Sequence, residues 1–182
     1  MMEKSIDLNL SRGLHIGGTK KKPGWEILNI VPGPHVDHVA DARDLSIFAD
    51  ETFADIYASH ILEHFGYVKY LNPLLREWNR VLVPGGRLRL SVPDLEVLAE
   101  ILLDKSIIFK ERFIAMRMIF GGQSNDHDFH HVGFTFEILS LYLKNGGFQK
   151  IRHVKSFDIF SDSSDKVLCG RRISLNVEAW KT

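Results

Sequence analysis

Residues Asp50–Asp94, DETFADIYASHILEHFGYVKYLNPLLREWNRVLVPGGRLRLSVPD, read as strand, ligand-facing turn, helix, Gly-Gly turn and strand. Phe53 to Ser59 is short, apolar and aromatic, and it ends at the polar pair Ser59 and His60, where a buried strand hands over to a helix. In an open α/β sheet, ligands bind at that strand end. Asn72 has the chemistry of an N-cap and Pro73 that of a first helical residue, where its missing N–H costs nothing. Leu71, Leu74, Leu75, Trp78, Val81 and Leu82 recur at helical spacing, with Arg76, Glu77, Asn79 and Arg80 on the other face. Pro84 and Gly85-Gly86 stop the helix by Val83, and Leu88, Leu90 and Val92 alternate with Arg87, Arg89 and Ser91 as the next strand. The expectation is a parallel pair with a right-handed crossover.

The same patterns extend outward. Gly13 to Ile16 is a strand running into Gly17-Gly18, Glu26 to Ile30 is a second after Pro23-Gly24, and Val36 to Ala40 is a third ending at Asp41. Only a short loop joins the first two. Leu95 to Leu103 and Ile107 to Phe120 have helical periodicity, the second with Phe109, Phe113, Met116 and Phe120 on one stripe that reads as core packing. Gly121 to Gly133, GGQSNDHDFHHVG, is a polar, His-rich loop, followed by a helix from Thr135 to Asn145 closed by Gly146-Gly147. Phe148 to Phe157 and Ile173 to Trp180 end the chain as β-rich segments, expected as an antiparallel pair at the sheet edge.

Bulk composition narrows the function classes. At 182 residues the chain is expected to be one domain over 1–182, burying roughly 70% of its extended surface. Lys plus Arg equals Asp plus Glu at 23 each, so no general field gathers nucleic acid or an anionic membrane. One cysteine, Cys169, excludes an internal disulfide framework and fits a reducing compartment. MMEKSIDLNLSRG at the N-terminus lacks the apolar core of a signal peptide, and no apolar run is long enough to span a bilayer. The expected location is cytoplasmic.

Five segments together resemble the class I S-adenosylmethionine-dependent methyltransferases, and within them the small predicted methyltransferases often associated with sugar and surface-polysaccharide enzymes. LHIGGTKKKPGWEILNI (Leu14–Ile30) is similar to that group's first strand, shortened glycine turn and Gly-Trp second strand. VDHVADARDL is similar to its third strand and Asp, and FADIYASHILEHF to its fourth strand with a His-x-Leu-Glu-His sequel. EWNRVLVPGGRLRLSVPD resembles the helix and Pro-Gly-Gly strand that follow, and GGQSNDHDFHHVGF the late His-containing loop. The resemblance covers about residues 13 to 181. It implies a Rossmann-like α/β sheet, mostly parallel with an antiparallel last strand, and a first crossover shortened because no helix fits between Gly18 and Trp25. It also implies S-adenosylmethionine as cofactor and a small-molecule acceptor, a sugar or polysaccharide precursor among the candidates.

The residues carry physical sense for that cofactor. Gly17 and Gly18 let backbone approach its amino acid portion without a side-chain clash. Asn29 stands where the group has an acidic residue for the ribose hydroxyls and offers hydrogen bonds without charge assistance. Asp41, beside Ala42, is placed to accept the adenine amino group, and Ser59 and His60 are expected near the methionine portion and the transferred methyl. The reduced crossover would leave the cofactor more exposed on that side, or covered by Lys20 to Pro23. A sulfonium is already an activated leaving group, so the protein mainly aligns acceptor, methyl and sulfur, and removes one proton. His131 or His130 could take it, with Asp128 orienting the imidazole, and His60 completes the catalytic candidates; no metal ligand is assigned.

Two other classes stay open. His60-Ile61-Leu62-Glu63-His64 fits the inverted zinc-protease pattern H-x-x-E-H, which would make the chain a zinc-dependent hydrolase. Asn29 and the clipped glycine loop would suit a non-catalytic methyltransferase-like module that binds a partner. The acceptor, its reacting atom, the role of the His127–His131 loop and the oligomeric state, with a homodimer among the candidates, are beyond the sequence.

Overall fold

The computed structural model describes residues 12–182; most of the N-terminal segment read above for a leader lies outside them. Nine strands follow in chain order: β1 (Gly13–Ile16), β2 (Trp25–Asn29), β3 (His38–Val39), β4 (Phe53–Ser59), β5 (Leu82–Pro93), β6 (Phe148–Val154), β7 (Val167–Leu168), β8 (Arg171–Arg172) and β9 (Ser174–Lys181). Seven form one sheet in the order β3-β2-β1-β4-β5-β9-β6, while β7 and β8 pair separately. Every pairing from β3 through β5 is parallel, and β9 runs antiparallel to both its neighbours. This is the expected mostly parallel Rossmann-like sheet with an antiparallel last strand. The pair of C-terminal segments is antiparallel, but β9 inserts between β5 and β6, so only β6 is at the edge.

Local boundaries depart from the sequence reading where loops replace ladder bonds. β3 keeps two residues rather than five, because Asp37 both donates its backbone N–H to the Ile27 carbonyl and accepts the Ile27 N–H on its carboxylate. The helix after β4, α1 (Leu71–Val81), starts one residue before Asn72. Leu74 N–H donates to the Tyr70 carbonyl, so Tyr70 is the N-cap and Pro73 is the third helical residue, still among the positions that need no intrahelical N–H. β5 begins at Leu82, before the Gly pair, and the Pro84–Gly86 stretch appears as a register shift between the Phe53–Leu82 and Asp55–Arg87 pairs.

One sheet face is wholly apolar. Leu14, Ile16, Ile56, Ala58, Leu88, Leu90, Val177 and Ala179 pack with Leu71, Leu74, Leu75, Trp78 and Val81 of α1 and with Leu139 and Leu143 of α4 (Phe136–Asn145). Each fully buried large side chain there stabilises by about 1.5–3 kcal/mol. Trp78 also donates its indole N–H to the Ala42 carbonyl at 2.8 Å, which ties α1 to the loop after β3.

The other face lacks that helical cover. Residues 17–24, 30–37 and 40–52, which join β1 through β4, contain no helix. His15 and Tyr57 on this face meet Phe160 at ring distances of 4.1 and 4.8 Å, and Phe157 stands edge-on to Tyr57. The Tyr57 hydroxyl donates to Asp162, and Asn176 donates to the carbonyls of Lys155 and Ser164, which straps residues 155–166 across the sheet. Further along, Asp55 pairs with Arg87 and Arg89, and both arginines reach Glu178, which Arg152 also contacts.

Helices α2 (Leu95–Leu103) and α3 (Phe109–Phe120) form a smaller cluster around Leu98, Ile101, Ala115 and Ile173. Asp94 caps α2 by accepting from Glu96 and Val97 N–H groups. The Phe stripe read as core is not: Phe109 is 72% exposed, and Phe113 and Phe120 are exposed too. Ala115 is the only fully buried residue of α3, and its small side chain puts the face beside it, not the aromatic face, against α2. Among the described residues no helix is long and apolar enough to cross a membrane.

Candidate active site

At the C-terminal ends of β1, β2 and β3 a pocket of about 430 Å³ opens, the size of a small-ligand site. Ile16, Leu28, Ala40, Ala42 and Ile61 make its apolar wall, with Asn29, Asp41 and Arg43 on one side and Tyr70, His64, His127, Phe129 and His131 on the other. Gly17 is at φ +76°, and a Cβ there would lie 2.2 Å from Ile61 Cδ1, so the turn after β1 demands glycine for both conformation and space. Gly18 is required for a different reason: a Cβ would strike the His15 ring at 2.5 Å.

Gly17, Asn29, Asp41, Ala42 and His131, all singled out from sequence, line this one pocket. Two of them already have partners. The Asn29 amide donates to the Gly18 carbonyl and accepts from Val31 N–H. Arg43 bonds both Asp41 carboxylate oxygens, and that hydrogen bond holds the Asp41 carboxyl below the usual range. The Arg43 guanidinium also stands 5.1 Å from the Tyr70 ring centroid, a cation–π contact at the pocket wall.

Other expected residues lie elsewhere. Gly18 and Ser59, expected beside the cofactor, border a separate shallow concavity with His15, Lys20, Phe160 and Asp162. Ser59 points to that face because strand alternation sets it with Asp55 and Tyr57, and its hydroxyl donates to Asp162 at 3.2 Å. Lys20 reaches the Ser161 carbonyl, so it folds toward the 155–166 strap rather than over the pocket. His60, expected near the transferred methyl, turns inward: Nε2 is 2.9 Å from Ser174 Oγ and Nδ1 is 3.2 Å from Glu63. It adopts φ +55°, a left-handed conformation costly for a non-glycine, at the corner where β4 ends.

Glu63 is completely buried in a 3-10 turn (Leu62–His64) and is surrounded by histidines. Burial pushes its carboxyl up, but His60, His64 and His130 outweigh that and hold it below the usual range. His130 Nε2 is 3.9 Å from Glu63 Oε1, and the His64 and His130 rings meet edge to face at 4.8 Å. Burial pushes the His130 imidazole below its ordinary value, so it is neutral near pH 7.

The late loop, residues 121–133, folds against this turn through the His131 N–H, which donates to the Glu63 carbonyl at 2.8 Å. That contact aims the exposed His131 side chain at the pocket and buries its neighbour His130. Asp128, expected to orient an imidazole, instead accepts from Ser124 Oγ and from the Ser124 and Gly122 N–H groups, and so organises the loop itself. Sequence reasoning passed over Arg43, Tyr70 and Phe129, and took His127 only as a member of the late histidine cluster. Arg43 had a local signal, since its N–H and guanidinium both reach Asp41 two residues back; Tyr70 had none.

Residues 21–90 match the family described as a methyltransferase domain, 70 of the 182 residues, from the turn before β2 into β5. The fold is shared with solved methyltransferases at low sequence identity. A carbon methyltransferase, CurJ, aligns over 94% of this chain and 48% of its own, with 15% identity and a TM-score of 0.58. Human N-acetylserotonin methyltransferase, solved in complex with S-adenosylmethionine, aligns over 96% of this chain and 49% of its own, with 14% identity and a TM-score of 0.56. An S-adenosylmethionine-dependent methyltransferase from Archaeoglobus fulgidus aligns over 93% and 86%, with 16% identity and a TM-score of 0.56. The chain spans about half the length of the first two of these proteins. No curated protein matches the sequence.

Proposed function

We propose that this chain is an S-adenosylmethionine-dependent methyltransferase acting on a small hydroxylated or amino acceptor, a sugar or polysaccharide precursor among the candidates. The observation that carries the reading is the pocket at the ends of β1, β2 and β3, where Gly17, Asn29 and Asp41 converge on an apolar wall. Those residues fit the cofactor's parts. Gly17 brings bare backbone to the pocket for the amino acid portion, Ile16, Leu28, Ala40 and Ile61 suit a purine face, Asp41 offers carboxylate acceptors, and the Asn29 amide can meet ribose hydroxyls.

When bound, the cofactor supplies a methyl group on an activated sulfonium. The chain's own task is then alignment, exclusion of water and removal of one proton. His131, held over the pocket by its backbone bond to Glu63, is the proposed base for an acceptor hydroxyl. Phe129 and Phe65 supply apolar contact beside it. His60 and His130 act from behind as positioning residues, and Asp128 fixes the loop that carries His131. We place the activity in one cytoplasmic domain and leave the acceptor atom unassigned.

Calorimetry with S-adenosylmethionine and its demethylated product tests the reading. Saturable binding is expected, and Asp41→Ala should weaken it about 10- to 100-fold, the worth of a hydrogen bond to a charged group. Absence of binding to either compound overturns it. A non-catalytic binding module is the second reading, favoured by the way Asn29 and Asp41 are already satisfied by Gly18, Val31 and Arg43. Turnover of any acceptor that is lost in Asp41→Ala removes that one. Zinc-dependent hydrolysis through His60, Glu63 and His64 needs a carboxylate that water and substrate can reach, and Glu63 has no exposed surface.

A further inference from the structure

The buried Glu63 carboxylate presents a charge problem that the methyl-transfer reading does not use. Both of its oxygens are buried and lack a well-aligned hydrogen-bond donor. An orphaned, fully buried carboxylate is costly unless a cation or a proton stands against it.

The acceptors around the three nearby histidines fix which nitrogen of each neutral ring carries the proton. Ser174 Oγ–H donates to the Ser163 carbonyl at 2.7 Å, so the 2.9 Å contact with His60 Nε2 must be donated by the imidazole. In a neutral His60 ring the Nδ1 atom, 3.2 Å from Glu63, then holds a lone pair that a cation can take. The Met118 carbonyl, 2.9 Å from His130 Nδ1, can only accept, so His130 carries its proton there and leaves Nε2 free toward Glu63. The Phe129 carbonyl does the same for His64 Nδ1 at 3.1 Å. Each neutral imidazole thus donates one N–H to an outer acceptor and keeps a lone pair on its other nitrogen. That is the arrangement in which second-shell carbonyls and hydroxyls orient metal-binding histidines. One ligand atom each from Glu63, His64 and His130 lies within 4.8 Å of the others.

We propose that Glu63, His64 and His130 hold a zinc-type divalent cation that clips the late loop to the turn after β4, with His60 standing beside Glu63. Imidazole nitrogen with one carboxylate suits zinc and its borderline neighbours, whereas magnesium and calcium prefer oxygen donors throughout. The cation neutralises Glu63 and supplies the partner that three converging acceptors cannot supply for one another. Its role is structural. It joins His130, on the loop that carries His131, to Glu63 and His64, 67 and 66 residues earlier. The site does not depend on methyl transfer, and its test reads metal and stability rather than turnover.

The experiment uses the full chain with no histidine tag, purified without added metal, for elemental analysis and thermal unfolding. About one zinc per chain is expected, and a chelator should lower Tm by about 5 °C or more, with zinc but not magnesium restoring it. His64→Gln, at a partly exposed position, should keep the native far-UV circular dichroism while losing most of the zinc and the chelator response. His130→Gln should behave the same way, because the amide retains a donor for the Met118 carbonyl. Less than about a tenth of an equivalent of zinc after zinc loading, with no Tm response, overturns the site in favour of a proton shared by His60 and Glu63. Full zinc retained in both variants overturns it as well, since the metal would then sit elsewhere.

Discussion

On one face of the sheet Leu14, Ile16, Ile56, Leu88, Leu90 and Val177 meet the apolar stripes of α1 and α4. On the other, His15 and Tyr57 meet the irregular segment 155–166, and Asp55, Arg87, Arg89 and Glu178 pair with one another. The difference follows from the connections. Helical crossovers bring an apolar stripe to bury, while the short links between β1 and β4 bring none. Polar and aromatic side chains on that second face must therefore find partners among themselves or in a strap donated from the C-terminal third. The same economy opens the pocket, because its walls are turns and the late loop rather than a crossover helix.

Breaking the apolar face should cost most. Trp78→Ala removes a fully buried indole and its bond to Ala42, and denaturant unfolding should show a loss of about 3–5 kcal/mol. A value under about 1 kcal/mol would mean that this face is not the main core.

The polar face should reveal itself through pH. Burial pushes the His15 imidazole down to about 4, partly opposed by Asp162, whereas the unfolded chain titrates near 6.5. Below 6.5 the unfolded state takes up a proton that the folded state refuses, so stability is intact above that pH and falls toward pH 4. The loss attributable to His15 is about 3 kcal/mol, and His15→Phe should flatten that limb in urea titrations run across the window. An unchanged pH profile would assign the acid sensitivity to other groups.

The smallest effect sharpens the comparison between apolar and ionic solutions. Asp55→Asn leaves Arg89, which is nearly buried, with Glu178 alone and should cost about 2 kcal/mol, less than a fully buried pair because the network is partly wet. Replacing both partners, Asp55→Leu with Arg89→Leu, should return stability to within about 1 kcal/mol of the parent. If the double variant is as unstable as the single one, the ionic network is structurally specific to this face rather than a tolerated substitute.

Much of the fold was legible because it rests on short-range pattern. Alternation in Leu88–Val92, helical spacing from Leu71 to Val81 and the Pro84-Gly85-Gly86 break each signal one element, and the absence of room for a helix between Gly18 and Trp25 is a matter of length. The candidate site was legible in part. Gly17 and Asp41 sit at strand ends, where ligands bind in such sheets, and they share the pocket with Asn29 and His131. Ser59 was misdirected because the end of β4 offers two faces, and only pairing with β1 and β5 shows which one it joins. The α3 stripe was misread because Phe spacing marks a face without saying what covers it; Ala115 proved to be the contact.

Sequence by itself determined the chain order of the seven main-sheet strands and the four α-helices, the turn glycines and the clustering of titratable residues in HILEH and in the late loop, but not the small β7-β8 pair. Tertiary structure alone decided which of those residues meet. His60 finds Ser174 across 114 residues, Tyr57 finds Asp162 across 105, and Glu63 is enclosed by His130 from the opposite side of the fold. Local pattern follows from steric and solvation preferences that act within a few residues. Partner choice across the chain depends instead on how the whole sheet closes, and that sets which side chains share a buried volume.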